Sequence, residues 1–249
     1  MVGVKAREAT FLWYDEVDST NELATSLAES GGLEGTVVLA GKQRVGRGRY
    51  GRRWASPEGN LYLSLIVRPT LSAQHGGLLT LLPALALCEV LEGMFQLRPQ
   101  LKWPNDVLLD GRKLAGCLLE GKVRGERYDY VILGLGVNTA CSPEPQLEPF
   151  RRPVVSLAET GACEVSNRHL AEAVVSSLLT WYQRLERGDA CDLLTAAEAR
   201  LYRRGCEVSL DLPGGKTLGT ILGLDESGGL LVEFPDGRRQ VCRDADVQM

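Results

Sequence analysis

A run of fourteen residues, 41–54, contains five arginines and four glycines and comes directly after an apolar segment at 36–40. Glycine lets a ligand approach the main chain closely, and arginine offers a planar fork of hydrogen-bond donors suited to carboxylates and phosphates. We therefore expect a flexible cationic loop that follows a strand and binds an anion. Three interpretations of this loop compete: a dinucleotide-binding turn, a nucleic-acid-binding patch and a solvated surface loop.

Residues 46–51 match the pattern G-x-G-x-x-G, in which a strand leads directly into the glycines and a helix opens from them. Here Gly46 lies six positions after Ala40, where the apolar segment ends, and residues 52–60 are too rich in Pro, Gly and Ser for a helix. The context of the match therefore argues against a dinucleotide-binding fold.

Four other short segments carry polar groups or glycines at distinctive spacing. Ser-Thr-Asn stands at 19–21, Lys-Trp-Pro-Asn-Asp at 102–106, Arg-Lys-Leu-Ala-Gly at 112–116 and Gly-Leu-Gly-Val-Asn at 134–138. The chain has six lysines, and two of them lie in these segments. Several ordered motifs are much harder to obtain by chance than one isolated match.

Together with the Arg–Gly loop, these segments resemble the biotin protein ligase family over roughly residues 10 to 249. The resemblance implies an ATP-dependent ligase that activates biotin to biotinyl-5'-AMP and then transfers biotin to a specific lysine of a biotin carboxyl carrier protein. Two alternatives stay open. A lipoate or octanoate ligase would share the architecture and the lysine of the 112–116 segment, and a non-catalytic biotin or nucleotide sensor would retain the pocket.

The start of the first predicted helix has two compatible interpretations. By spacing alone, Ser19 and Glu22 form a capping box. The resemblance adds that Ser19, Thr20 and Asn21 bind the ureido ring of biotin, and it places Gln43 on the same ring. Both roles can coexist because free donors at a helix start suit a carbonyl oxygen.

The first chemical step implied by the resemblance joins a carboxylate to a phosphate. Two unit charges about 4 Å apart at an effective dielectric near 20 repel by roughly 4 kcal/mol, so a cationic clamp is required. Arg47 and Arg49 are the candidates, because a bidentate fork fixes orientation as well as charge. The resemblance also assigns Lys113 to the biotin carboxyl and the phosphoryl group; the alternative is a solvated lysine beside a turn.

Glycines in the loop would let it close over the bound ligands. Gly46, Gly48 and Gly51 would let the main chain fold down and keep water from the mixed anhydride. We expect the loop to be disordered without ligand and ordered with it. Mg²⁺ should accompany ATP, held by the triphosphate and water, so no residue is assigned as a metal ligand.

The candidates for nucleotide binding lie near the end of the Arg–Gly loop and in the later sequence motifs. Arg52 and Trp54 are candidates, since an indole offers a stacking face for adenine, although Trp54 could equally be a core aromatic. Lys102 could pair with Asp106 or reach a phosphate, and Asn105 holds the turn or contacts a ligand. The resemblance adds a further set of binding candidates: Gly116, Gly134, Gly136 and Asn138.

Asp106 is the candidate base for the second step. A lysine amine has a reference pKa near 10.4 and is mostly an ammonium at neutral pH, so it cannot attack until it loses a proton. A neighbouring carboxylate can position the amine and favour that loss. The predicted catalytic residues are therefore Asp106, Lys113 and Arg47.

A mixed β-sheet with helices must position these groups. Apolar patterns predict strands at 10–14, 37–40, 61–67, 101–103, 107–109, 114–123 and 127–137. Helices are predicted at 20–30, 72–95, 167–187 and 189–203, with Pro83 starting, kinking or splitting the second. Residues 139–152 should be irregular. The resemblance implies an α+β catalytic domain of the class II aminoacyl-tRNA synthetase-like type at 1–203 and a small SH3-like β-barrel at 204–249.

Composition limits the partners and the compartment. A net charge of -4 argues against general attraction to nucleic acid or membrane. Seven scattered cysteines without a C-x-x-C pair indicate reduced thiols and no structural zinc site, and no secretory signal is visible, so a cytoplasmic protein is predicted. About nine residues precede the first strand, which leaves no room for a DNA-binding helix-turn-helix domain. A homodimer stays open.

Overall fold

A computed structural model gives the fold of residues 9–142, 153–161, 166–212 and 215–248, apart from the side chains of Asp246 and Gln248. A mixed sheet forms its centre, with strand order β1-β2-β3-β7-β6-β5-β4. Strands β1 and β2 are parallel, and the other neighbours in the sheet are antiparallel. The strands are β1 Thr10–Val17, β2 Thr36–Gln43, β3 Leu61–Val67, β4 Gln100–Lys102, β5 Asp106–Leu109, β6 Arg112–Arg124 and β7 Arg127–Val137.

Helices cover both faces of this sheet. They are α1 Thr20–Glu29, α2 Gly76–Phe95, α3 Asn167–Glu186 and α4 Ala190–Glu198. Residues of β2 alternate between the faces, so that Val37 and Leu39 pack in the larger core with α2 while Val38 packs against α1. Because both faces are buried, the central strands are apolar at nearly every position. The predicted α+β class is confirmed.

Helix α2 differs from its prediction. It is continuous through Pro83, and a short 3-10 turn at Ala73–His75 precedes it, so Pro83 neither starts nor splits the helix. Pro83 is buried among the apolar residues that surround this helix, and that packing offsets the one backbone hydrogen bond that proline cannot donate. The segment Ala73–Phe95 is long and apolar enough to span a membrane, but most of it is buried as a core helix.

The last predicted helix, 189–203, is shorter than expected. It ends at Glu198, and Leu201 then forms an isolated bridge with Leu101 of β4, which draws the chain out of the helix. The irregular loop predicted at 139–152 lies outside the described residues from 143 onward.

A second, antiparallel sheet follows, in the order β11-β10-β9-β8-β12. Its strands are β8 Glu207–Leu212, β9 Gly215–Leu224, β10 Leu230–Glu233, β11 Arg239–Cys242 and β12 Asp246–Gln248. The end strands β11 and β12 are not neighbours in this order, so the small barrel is open. Trp103 Nε1 donates to Gly228 O at 3.0 Å, which packs this module beside the 102–106 segment.

Candidate active site

A cavity of about 1050 Å³ lies between the start of α1, the Arg–Gly loop and strands β5 to β7. Arg47 and Lys113 both face it. Gly46 alone among the predicted site residues is not in its lining; an added Cβ there would lie 2.4 Å from the Trp54 carbonyl oxygen. The predicted residues that line the cavity are Ser19, Thr20, Asn21, Gln43, Arg47, Gly48, Arg49, Arg52, Trp54, Lys102, Asn105, Asp106, Lys113, Gly116, Gly134, Gly136 and Asn138.

One end of the cavity is a small polar socket. Gln43 Oε1 accepts from the Thr20 backbone N–H at 2.8 Å and from the Thr20 hydroxyl at 3.1 Å, while Gln43 Nε2 donates to Ser56 Oγ at 2.8 Å. Ser19 is buried and lines the socket without making a side-chain capping bond, so the predicted capping box with Glu22 is wrong. Ser19 instead forms part of the cavity wall. Clustered donors and acceptors of this kind suit a compact polar ring.

Asn21 lies in the wall of this socket with its amide already engaged. Nδ2 donates to Glu120 Oε2 at 2.9 Å and to Leu118 O at 3.3 Å, and Oδ1 accepts from Ser64 Oγ at 2.6 Å. A Cβ added to Gly134 would lie 2.1 Å from Asn21 Oδ1, so this position requires glycine. Both amide hydrogens of Asn21 therefore donate to other groups of the protein. In this arrangement, Asn21 supports the wall of the socket and does not offer a free donor to a ligand.

Arg47 is held at the same end. Its Nη2 lies 2.7 Å from Glu120 Oε1, and the Arg47 side chain is about half exposed. Glu120 is thus shared between Arg47 and Asn21. In this arrangement, Arg47 anchors the loop, and its predicted use as an anion clamp would require it to leave Glu120.

Trp54 lies flat across two strands next to the socket. A Cβ added to Gly116 would lie 2.9 Å from the Trp54 ring, and one added to Gly136 would lie 2.6 Å from it. These two glycines are directly opposite each other on β6 and β7. Lys113 Nζ lies 5.1 Å from the centre of the ring, within cation–π range. The indole N–H is buried without a hydrogen-bond partner, which leaves it available to a ligand.

A carboxylate between two lysines occupies the middle of the cavity. Lys113 Nζ lies 2.7 Å from Asp106 Oδ1, and Lys102 Nζ lies 3.8 Å from Asp106 Oδ2. Asp106 and Lys102 are buried, and Lys113 is partly buried. Two ammonium groups therefore lie beside this carboxylate, and cations in that position attract an incoming anion.

The Arg–Gly loop contacts the C-terminal module. Arg49 Nη2 lies 3.3 Å from Asp244 Oδ1, and the Tyr50 hydroxyl donates to the same oxygen. Arg49 Nη1 also lies 3.4 Å from Asn105 Oδ1, and Arg52 lies over the Tyr50 ring at 5.6 Å. Arg49 therefore borders the 102–106 segment.

Asn138 and Cys117 complete the wall near Lys113. Asn138 is buried, donates to Val155 O at 3.2 Å and leaves its Oδ1 without a partner, so it can accept from a ligand. Burial, and then the charge of Asp106, raise the pKa of the Cys117 thiol well above its ordinary value. Cys117 is therefore a protonated wall residue and not a nucleophile.

Several residues of the site were missed from the sequence. Ser64 stands in an apolar strand, Glu120 follows the 112–116 segment by a few positions, and Tyr50 had no signal beyond its place in the loop. The C-terminal module also reaches the cavity, through Asp211, Lys216 and Val247. Among the described residues, no group of three or more His, Cys, Asp and Glu side chains could hold a metal ion.

The glycines under Trp54 give a prediction of their own. Gly136→Ala would place a methyl group 2.6 Å from Trp54 Nε1, so we expect about 1–3 kcal/mol of lost stability from overpacking, together with a displaced indole. Urea unfolding and tryptophan fluorescence would measure both effects. Gly93→Ala is the control, since an added Cβ at this helical position meets nothing within 4 Å, and it should not destabilise. An unchanged fluorescence spectrum in Gly136→Ala would contradict the packing.

Known proteins are similar to this chain in sequence and fold. The model of the biotin/lipoate A/B protein ligase family matches residues 13–138, and that of the biotin protein ligase C-terminal domain matches residues 205–242. A biotin–[acetyl-CoA-carboxylase] ligase of Paracoccus denitrificans is 37% identical, covering 92% of this chain and 96% of the relative. A ligase of the same name from Mycobacterium tuberculosis is 31% identical, covering 93% of this chain and 86% of the relative.

A solved structure agrees with these matches. The biotin protein ligase from Aquifex aeolicus in complex with biotin and ATP has a TM-score of 0.81 to this chain and is 29% identical, covering 96% of this chain and 98% of its own. The chain belongs to the biotin/lipoate A/B protein ligase family. Within that family, the match to the biotin protein ligase C-terminal domain and the two similar ligases place it among the biotin protein ligases.

Proposed function

We propose that the one cavity carries out both steps of ATP-dependent biotin–protein ligation. The enzyme activates biotin to biotinyl-5'-AMP and transfers the biotinyl group to a lysine of a biotin carboxyl carrier protein. The assignment of both reaction steps to this cavity rests on the ion pair between Lys113 and Asp106. The two side chains lie 2.7 Å apart, in the same cavity as the Thr20–Gln43 socket. A cation for the first step and a carboxylate for the second thus share one centre.

In the first step, an oxygen of the biotin carboxylate forms a bond to the α-phosphorus of ATP, and pyrophosphate leaves with the electrons of the broken P–O bond. Lys113 would leave Asp106 to bind the biotin carboxylate and the α-phosphate, while Lys102 keeps Asp106 paired. Arg49, which borders Asn105, would turn from Asp244 toward the phosphates. Preorganised cations of this kind lower the barrier because they stabilise charge as it develops.

The adenine end is proposed to use two unpartnered polar atoms. The Trp54 indole is partly exposed beside Lys113, so one face can stack on a base, and its buried N–H lacks a partner. The Asn138 Oδ1 atom also lacks one and can accept from an exocyclic amine. Arg52 would reach the nucleotide from the loop. These roles are supported by position in the cavity.

In the second step, the acceptor amine attacks the carbonyl carbon of the mixed anhydride. A C–N bond forms, the C–O bond to the phosphate breaks and AMP leaves with its electron pair. We assign the proton released by the amine to the Asp106 carboxylate, which becomes available once Lys113 has moved to the phosphate.

Mg²⁺ is proposed to enter with ATP. Its ligands would be phosphate oxygens and water, because Asp106 is already paired with two lysines and the described residues offer no cluster of metal-binding side chains. No protein atom is assigned to the ion.

The remaining assignments stay predictions from the sequence. We propose a cytoplasmic enzyme that binds neither DNA nor membrane, and a homodimer is one option for its assembly. We also propose a catalytic domain at 1–203 and a C-terminal domain at 204–249, supported by separate family matches at 13–138 and 205–242. The Asp244 contacts indicate that the two parts act together around the loop.

A transfer assay tests the proposed function. The enzyme would be incubated with Mg-ATP, an unbiotinylated carrier domain and an equimolar mixture of biotin and lipoate, and the carrier would be weighed by intact mass spectrometry. We expect biotin on the carrier lysine, and no modification when that lysine is replaced by arginine. Transfer of lipoate in preference to biotin would overturn the assignment, and so would adenylate binding with no transfer at all.

A further inference from the structure

We propose that Glu120 is a positioning residue that ties the Arg–Gly loop to the biotin-binding end of the cavity. What binds at that end rests on the proposed function, but the contact itself can be tested without a ligand. Glu120 lies on β6, and its side chain is about one quarter exposed. Neither the motifs nor the chemistry of the two steps assigns it a role.

Each carboxylate oxygen of Glu120 has a different partner. Oε1 pairs with Arg47 of the loop at 2.7 Å, and Oε2 accepts from Asn21 Nδ2 of helix α1 at 2.9 Å. A carboxylate can accept from two directions at once, and a charged acceptor makes both bonds stronger than neutral ones. Glu120 therefore joins the Arg–Gly loop to helix α1, two segments that lie apart in the sequence.

The chain of bonds continues from Asn21 to the start of the loop. Ser64, which is fully buried, donates to Asn21 Oδ1 at 2.6 Å and lies 2.8 Å from Thr20 Oγ1. Thr20 in turn donates to Gln43, the last residue of β2. The loop is thus anchored at Gln43 before its glycines and at Arg47 within them.

Loss of the carboxylate should disturb both ends of this network. Without Glu120, the Arg47 side chain loses its anchor, and one Asn21 N–H is left buried without an acceptor. A buried polar network that is only partly satisfied is costly, so the Asn21 amide would turn and shift the Ser64 and Thr20 hydroxyls. The shape of the socket would change although no residue in contact with the ligand had been replaced.

An ordinary surface ion pair would not have this effect, and the same sheet provides one for comparison. Glu29 lies 3.2 Å from Lys122 on β6, and both side chains are about half exposed. Exposed pairs of this kind contribute little to stability. Glu29→Gln is therefore the matched control for Glu120→Gln, because each removes one charge and keeps the size of the side chain.

Limited trypsin digestion of the ligand-free enzyme tests the tie without any activity measurement. The loop offers cleavage sites at Arg49, Arg52 and Arg53 in addition to Arg47. We expect Glu120→Gln and Glu120→Ala to be cut in the loop about fivefold faster than the parent, as the loss of one charged hydrogen bond would allow. Glu29→Gln should be cut at the parental rate. Loop cleavage of Glu120→Gln at the parental rate, or equal acceleration in Glu29→Gln, would overturn the proposal.

Steady-state kinetics then test the consequence for biotin. Glu120→Gln should raise the KM for biotin by about tenfold and leave kcat nearly unchanged, because a loosened socket weakens binding without removing a reacting group. Thermal unfolding identifies a variant that fails to fold, in which case the isosteric Glu120→Gln carries the test. If Glu120→Gln is cut faster but the parent protein shows no ligase activity, the proposed function is wrong and the Glu120 proposal stands. If the parent is an active ligase and Glu120→Gln has the parental cleavage rate and KM, the Glu120 proposal is wrong and the proposed function stands.

Discussion

Replacement of Lys113 by alanine is expected to slow biotinyl-5'-AMP formation by about 10²- to 10³-fold, the loss typical when one group that stabilises developing charge is removed. Lys113 Nζ lies between the Asp106 carboxylate, at 2.7 Å, and the face of Trp54, at 5.1 Å from the ring centre. From there it can bind the biotin carboxylate and the α-phosphate together. Rapid-quench measurement of adenylate formation at saturating biotin and ATP would give the rate.

Lys42→Ala is the control for this substitution. Lys42 is also a lysine close to the loop, but it pairs with Glu16 on the surface at 3.3 Å, and its loss should leave the rate unchanged. If the rate of Lys113→Ala stays within about threefold of the parent rate, the change in the activation barrier is small. Another cation would then stabilise the charge that develops in the first step. Lys102 would then be the next candidate.

The second large effect concerns Asp106 and the transfer step. Asp106→Asn should slow the attack of the carrier lysine by about 10²- to 10⁴-fold, the usual contribution of a general base. Adenylate formation should change much less, because asparagine keeps an oxygen that Lys113 can contact. Preformed enzyme–biotinyl-AMP complex, mixed with carrier and followed by carrier mass, isolates the transfer rate.

The pH dependence gives this prediction a clear sign. An amine with a reference pKa near 10.4 gains neutral form about tenfold per pH unit between pH 7 and 9. Transfer by Asp106→Asn should therefore rise steeply with pH, whereas transfer by the parent enzyme should rise less because its base already removes the proton. Asp129→Asn, which removes a surface carboxylate 3.5 Å from Arg124, is the control. Equal slowing of both steps by Asp106→Asn, with no gain at high pH, would indicate a purely structural role.

Local sequence signals were enough for much of the sheet. Strand β3 at 61–67 and strand β7 at 127–137 were predicted at their observed limits, since each is a strongly apolar run and a turn marks one end. The motif residues also came together in one cavity. The family resemblance, which depends on the order of these motifs along the chain, predicted that they form one site. Hydrophobic periodicity alone would have assigned Ser19 and Thr20 only to the cap of a helix.

Contacts between distant segments could not be predicted in this way. Ser64 looks like an exception in an apolar strand, and only the fold shows that it bonds Asn21 at 2.6 Å. Glu120 and Asp244 lie far in sequence from the arginines they hold, so no local pattern points to them. Pro83 stays within a helix because burial outweighs its local effect, which is again a tertiary property.

The most direct measurement is a crystal structure of the enzyme with biotinyl-5'-AMP. The account predicts the ureido ring in the Thr20–Gln43 socket, the phosphate within hydrogen-bond distance of Lys113 Nζ, and a side-chain oxygen of Asp106 facing the anhydride carbonyl. Lys113 would have left its 2.7 Å contact with Asp106. An adenylate bound outside this cavity, or one whose phosphate does not touch Lys113, would contradict it.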